Sequence, residues 1–225
     1  MSARNFAVSK YSPRCRLPRL YPILDAGLLL RAGLSIEAFA RELYAAGIRF
    51  LQYRDKDGSD EVVLQRAALL RTIFPASDSC LILNDRVSLV RAAGFDGVHV
   101  GQEDLSPAEV RTQLGPEMLI GVSTHSEQQL LLAADGTADY IAIGPVYATV
   151  SKQVPDPVVG LEGVRIARAM TAKPLVAIGG ISRANCAAVI EAGADSVAVI
   201  SDLIPNPGKR TDEFAAILNS GEHTH

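Results

Sequence analysis

At 225 residues, 48% of them hydrophobic, the chain is long enough to enclose one large core, and a single barrel suits that length as well as two small domains do. A formal net charge of −3 excludes a global pull toward nucleic acid or an anionic membrane surface, so any anion site must be assembled from a few local cations. Three cysteines, Cys15, Cys80 and Cys186, are odd in number and lack metal-ligand spacing, which argues against a disulfide framework or structural zinc and suits a reducing compartment.

Residues 1–19 hold Arg4, Lys10, Arg14, Arg16 and Arg19 without an acid and read as a basic, solvated, frayed tail. They contain no apolar core of a secretory signal, and no run in the chain approaches the roughly 20 apolar residues that span a bilayer, so a cytoplasmic protein without membrane partners is expected. From Leu20 onward, β-rich apolar runs alternate with helical patterns. The predicted strands are "LYPIL", "RFLQYR", "CLILN", "GVHV", "LIGVS", "YIAIG", "LVAIG" and "SVAVI". Helix signals lie between them, such as Ser35 before "IEAFARELYAAG" and Ser106-Pro107 before "AEVRTQLG". Such repeated βα units predict an α/β protein built as a single (β/α)8 TIM barrel over residues 20–219, with 220–225 as a short tail. The alternative, an open doubly wound sheet, lacks its G-x-G-x-x-G signature near Asp25. One long connection, "PVYATVSKQVPDPVVGLEG", follows the sixth strand and is a candidate lid.

The carboxyl ends of barrel strands build the active site, and polar residues collect there. Gln52, Arg54 and Lys56 share one face of the second strand by period-two alternation. Asn84 and Asp85 end the third strand, Asp104 follows the fourth, and Ser123 ends the fifth. Thr149, Ser151 and Lys152 lie in the long connection, while Gly179-Gly180 and Ser201 end the seventh and eighth strands. Asp85 and Asp104, on neighbouring strands about 4.8 Å apart, can reach one cation of the magnesium type. Arg54, Lys56 and Lys152 carry enough charge for a diphosphate. Burying Arg54 or Lys56 unpaired would be costly, a cost that an incoming anion removes. Gly179-Gly180 with Ser201 offers backbone N–H groups to a second phosphate. His99 reads as a satisfied barrel-wall histidine, and His125 has no acid or nucleophile placed to form a triad.

These motifs, "QYRDK", "LILNDR", "GFDGVHVGQEDL", "GVSTH", "IGPVYATVSK" and "VAIGGIS", resemble the thiamine-phosphate synthase family from "YPILD" to "VAVIS". The resemblance implies a transferase of thiamine biosynthesis, acting on alkyl or aryl groups. Its substrates would be 4-amino-2-methyl-5-hydroxymethylpyrimidine diphosphate and 4-methyl-5-(2-hydroxyethyl)thiazole phosphate, or its carboxylated form, which give thiamine phosphate and diphosphate by a Mg2+-assisted dissociative substitution. Gln52, Arg54, Lys56, Asn84, Ser123 and Lys152 would hold the pyrimidine diphosphate, and Asp85 and Asp104 the Mg2+. Arg54, Lys56, Ser123 and Lys152 would be catalytic. Thr149, Ser151 and the backbone of Gly179, Gly180, Ile200 and Ser201 would meet the thiazole phosphate. The family's T-x-T-K is here Thr149-Val150-Ser151-Lys152, which keeps the hydroxyl and loses a methyl. A thiazole isomerase on the same barrel would have no use for the cations and paired acids, and a non-catalytic sensor would lack the acids. Partners are thus small molecules and not nucleic acid, with a homodimer left open.

Overall fold

A computed structural model describes residues 15–149 and 157–220. Strands β1 (Leu20–Asp25), β2 (Phe50–Arg54), β3 (Cys80–Asn84), β4 (Gly97–Val100), β5 (Leu119–Thr124), β6 (Tyr140–Ile143), β7 (Leu175–Ala177) and β8 (Ser196–Val199) pair in parallel and in sequence order, and β8 returns to β1. The TIM barrel expected from the alternation is the architecture found. Helices α1 (Ala26–Arg31), α2 (Ile36–Ala45), α3 (Asp60–Ile73), α4 (Pro107–Leu114), α5 (Glu127–Asp135), α6 (Gly160–Met170), α7 (Cys186–Glu191) and α8 (Pro207–Asn219) accompany the strands.

Each βα junction is written locally. Ser35, Ser59, Ser106 and Ser126 accept a hydrogen bond from the backbone N–H three residues on, and Ser106 forms a full capping box with Glu109. In α2 the buried residues Ile36, Phe39, Ala40 and Leu43 recur at helical spacing against the strands. Each large apolar side chain so buried stabilises the fold by about 1.5–3 kcal/mol.

The units are unequal. Two helices, α1 and α2, follow β1, whereas β3 is followed only by a 3-10 turn at Val87–Leu89. Residues 85–96 are the shortest strand-to-strand connection, and there Val87, Val90, Ala93 and Phe95 cover the strands as an irregular stretch. The long connection is also shorter than expected, because α6 already begins at Gly160. Residues 150–156 within it lie outside the described residues, and with them the proposed lid.

The floor, where strands begin, carries a clamp used three times. Asp96 accepts the Leu81 N–H at 2.8 Å and pairs with Arg71. Asp139 accepts Ile120 N–H at 2.8 Å and pairs with Arg111 at 2.6 Å, and Asp195 accepts Leu175 N–H at 2.8 Å and pairs with Arg168 at 2.7 Å. Each acid precedes one strand and ties the strand before it to an outer helix. Cysteines scattered in sequence also meet here. Cys15, Cys80 and Asp96 bring ligand atoms within 4.8 Å of one another, but Asp96 is committed to its clamp. Among the described residues, no helix is long and apolar enough to cross a membrane.

Candidate active site

Strand β1 aligns Asp25 beside Arg54 of β2, and the two side chains form an ion pair. Arg54 is therefore not the unpaired buried cation that alternation alone suggests. Asp25 arrives at the same level of the barrel, and its second carboxylate oxygen caps α1 by accepting Leu28 N–H at 2.8 Å. Lys56 is likewise paired, with Asp85 at 2.8 Å. The intervening Asp55 points to the outer face, where it accepts from Tyr53 at 2.8 Å, Arg66 at 2.6 Å and Gly58 N–H at 2.9 Å. Burial opposes its charge, but these donors outweigh burial and hold the Asp55 carboxyl below the ordinary range. Period two thus separates a face that meets the rim acids from one that packs against α3 within six residues of sequence.

Asp85 is the one non-glycine residue of the described chain with positive φ, at 62°, a conformation that Asp tolerates better than most side chains. Its N–H donates to His99 O at 2.8 Å, and the turn directs its carboxylate toward both Lys56 and Asp104. The Asp104 carboxylate accepts Gly101 N–H at 2.7 Å. Burial, working against that N–H, and then the adjacent Asp85 push the Asp104 carboxyl above its ordinary range. Two carboxylates in mutual contact at a solvent-reaching rim form a hard, all-oxygen donor set, which fits a magnesium-type cation far better than the sulfur-rich cluster on the floor.

Inside the barrel, five side chains form one hydrogen-bonded chain that runs from the starts of β1 and β6 toward the mouth. Gln52 Nε2 donates to Tyr21 Oη at 3.0 Å, Tyr21 Oη lies 3.0 Å from Tyr140 Oη, Tyr140 Oη lies 3.0 Å from His99 Nδ1, and His99 Nε2 lies 2.8 Å from Ser123 Oγ. Gly121 makes this possible. His99, Gly121 and Tyr140 are aligned on β4, β5 and β6, and a Cβ at Gly121 would fall 2.0 Å from the Tyr140 ring. Without that side chain the His99 and Tyr140 rings stack with centroids 5.5 Å apart. Burial pushes both phenols up and pushes His99 down to about 4, so near neutral pH all three rings are uncharged. His99 is buried with both ring nitrogens satisfied, as a barrel-wall histidine would be, and one of its two partners is Ser123, an expected site residue.

The remaining candidates divide. Asn84 aligns with His99 at the end of β3. Gly179 and Gly180 have φ of 89° and 64°, and a Cβ on either would strike Pro145 or the Tyr147–Ala148 backbone within 2.7 Å, so both glycines are needed for packing as well as for any N–H cradle. Ile200 and Ser201 open a 3-10 turn after β8. Thr149 stands at the edge of the described loop, and Ser151 and Lys152 lie outside the described residues. His125 Nδ1 donates to Gly144 O at 2.5 Å. Asp25, Tyr21 and Tyr140 were not among the expected site residues. Period two in "LYPILD" places Tyr21 and Asp25 on the inward face and is the signal that could have found them.

The family described as thiamine monophosphate synthase matches residues 20–203. The thiamine-phosphate synthase of Koribacter versatilis is 53% identical over 91% of this chain and 98% of its own. That of Gloeobacter violaceus is 45% identical over 79% of this chain, which spans 52% of that longer relative. The solved structure of thiamine phosphate pyrophosphorylase from Pyrococcus furiosus superposes with a TM-score of 0.80 at 30% identity, covering 90% of this chain and 96% of its own.

Proposed function

This chain belongs to the thiamine monophosphate synthase family, a transferase family, and from that premise we propose that it joins hydroxymethylpyrimidine diphosphate to hydroxyethylthiazole phosphate, or its carboxylated form, by dissociative substitution. The observation that carries this reading is the cluster of Arg54, Lys56, Asp85, Asp104 and Ser123 around one barrel mouth, with the positive-φ Gly179-Gly180 turn beyond β7.

In this reading the carbon–oxygen bond between the pyrimidine methylene and the diphosphate breaks first, and the electron pair leaves with oxygen. The ring-stabilised cation is then captured by the lone pair of the thiazole nitrogen. Arg54 and Lys56, joined by Lys152, hold the departing diphosphate and offset the charge that grows on it. Asp25 keeps the Arg54 guanidinium facing the mouth. Backbone N–H groups of Gly179, Gly180, Ile200 and Ser201, with Thr149 and Ser151, anchor the thiazole phosphate and so place the nucleophile. Asp85 and Asp104 would hold Mg2+, which supplies charge neutralisation of the diphosphate when bound.

A mass-resolved product assay with both substrates tests the reading. Thiamine phosphate and diphosphate are expected in equal amounts with magnesium, and none with excess chelator. Binding of each substrate without product would overturn the coupling reaction, and undiminished product in chelator would overturn the metal role of the two acids.

A further inference from the structure

We propose that Gln52, Tyr21, Tyr140 and His99 form a hydrogen-bond chain of fixed direction that holds His99 as its Nε2–H tautomer and leaves the Ser123 hydroxyl free to donate a hydrogen bond to the departing diphosphate. This rests on the synthase reading above. The direction follows from counting protons. The amide nitrogen of Gln52 can only donate, so Tyr21 Oη accepts at that contact. Tyr21 carries one proton, and among the described residues its other hydrogen-bond partner is Tyr140 Oη. The Tyr21 proton therefore goes to Tyr140, and the Tyr140 proton to His99 Nδ1. A neutral imidazole has a single N–H, which must then sit on Nε2 and point at Ser123 Oγ, 2.8 Å away.

The opposite order would run from Ser123 to His99 Nε2, from Nδ1–H to Tyr140, and from Tyr140 to Tyr21. Tyr21 would then accept twice and have no acceptor for its own proton, although it is 1% exposed. An unmade hydrogen bond at a buried donor disfavours that order by roughly 10- to 100-fold.

The consequence is chemical. A serine and a histidine in hydrogen-bond contact invite comparison with a nucleophile and its base, but here the histidine nitrogen that faces serine already carries the proton and cannot take another. Ser123 accepts from His99, and among the described residues its hydroxyl has no second partner. Accepting one bond polarises the O–H and strengthens it as a donor, which suits a diphosphate oxygen that gains negative charge as the bond to carbon breaks. No proton need be transferred. Gln52 is spoken for at its nitrogen, and His99, Tyr140 and Tyr21 are positioning residues that act through Ser123.

The first test needs no variant and no turnover. In full-length protein labelled with 15N-histidine, long-range proton–nitrogen correlation spectra report the tautomer of His99, with His99→Gln used to assign its signals. The Nε2–H form is expected, and the Nδ1–H form overturns the proposal while leaving the synthase reading untouched. Steady-state kinetics supply the second test. Ser123→Ala is expected to lower kcat about 100-fold, as loss of one preorganised donor does, and Tyr140→Phe about tenfold with little change in the KM for thiazole phosphate. The double variant should be no slower than Ser123→Ala alone, and multiplied losses would show that Tyr140 acts by a route other than Ser123. Failure of the wild type to form thiamine phosphate would count instead against the synthase reading.

Discussion

The two ends of this barrel use the same residue types to opposite purposes. At the floor, Asp96, Asp139 and Asp195 each meet one arginine and one strand N–H, and the Arg111 guanidinium also reaches the carbonyls of Gly115 and Met118. At the mouth, Asp85 leans on a lysine that is 55% exposed, Asp104 leans on another carboxylate, and the left-handed Asp85 carries local strain. Floor charges are closed within the protein. At the mouth the Lys56–Asp85 pair is open to solvent, whereas Asp25–Arg54 is largely buried. That division matches barrels in which the amino-terminal face carries stability and the carboxyl-terminal face carries chemistry.

Breaking the floor should give the largest effect. Asp139→Ala removes the acceptor for Ile120 N–H and leaves Arg111 largely buried without its counter-charge. Loss of one partner of a buried pair costs about 3–5 kcal/mol. Chemical denaturation should show that loss, while turnover per folded molecule at low temperature stays unchanged. A parallel fall in kcat would mean that the two ends are coupled and the division is wrong.

Lys56→Ala probes the other end. Its side chain is half exposed and its pair with Asp85 contributes little to folding, within about 1 kcal/mol. If Lys56 faces a diphosphate as proposed, its removal should nonetheless cut kcat about 100-fold, equivalent to about 2.7 kcal/mol of transition-state stabilisation. Kinetics and a melting curve on the same preparation separate the two quantities. A variant that melts early but turns over normally would make Lys56 a structural residue.

The same contrast accounts for how much could be read from the sequence. Strands of a parallel barrel are buried on both faces and appear as apolar runs, so all eight were legible, and "RFLQYR" differs from β2 only by Arg49. Rim residues were legible because strand ends are. Partnerships were not. The Asp25–Arg54 pair depends on the register between β1 and β2, and the His99–Tyr140 stack depends on three aligned strands with a glycine in the middle. Neither is a local property of any window of sequence. The missing helix after β3 was masked by the regularity of its neighbours, since a count of βα units assigns every strand a helix whether or not residues 85–96 can supply one.

Asp25→Asn offers the smallest and sharpest change. The asparagine keeps an oxygen that can accept Leu28 N–H and cap α1, so the helix should stay in place. What is lost is the charge that holds the Arg54 guanidinium at the mouth. If Asp25 only satisfied a buried arginine, neutralising it would lower stability and leave Arg54 free to bind diphosphate at least as tightly. If instead it orients the guanidinium, the lost alignment should lower kcat about tenfold, close to 1.4 kcal/mol, with little loss of substrate binding. Arg54→Lys should then be no better than Asp25→Asn, because an ammonium cannot serve a carboxylate and a diphosphate through one planar fork. Measured together, the two variants decide whether Asp25 serves the closed wall or the open mouth, because its strand is tied into the wall at the amino end and meets Arg54 at the rim.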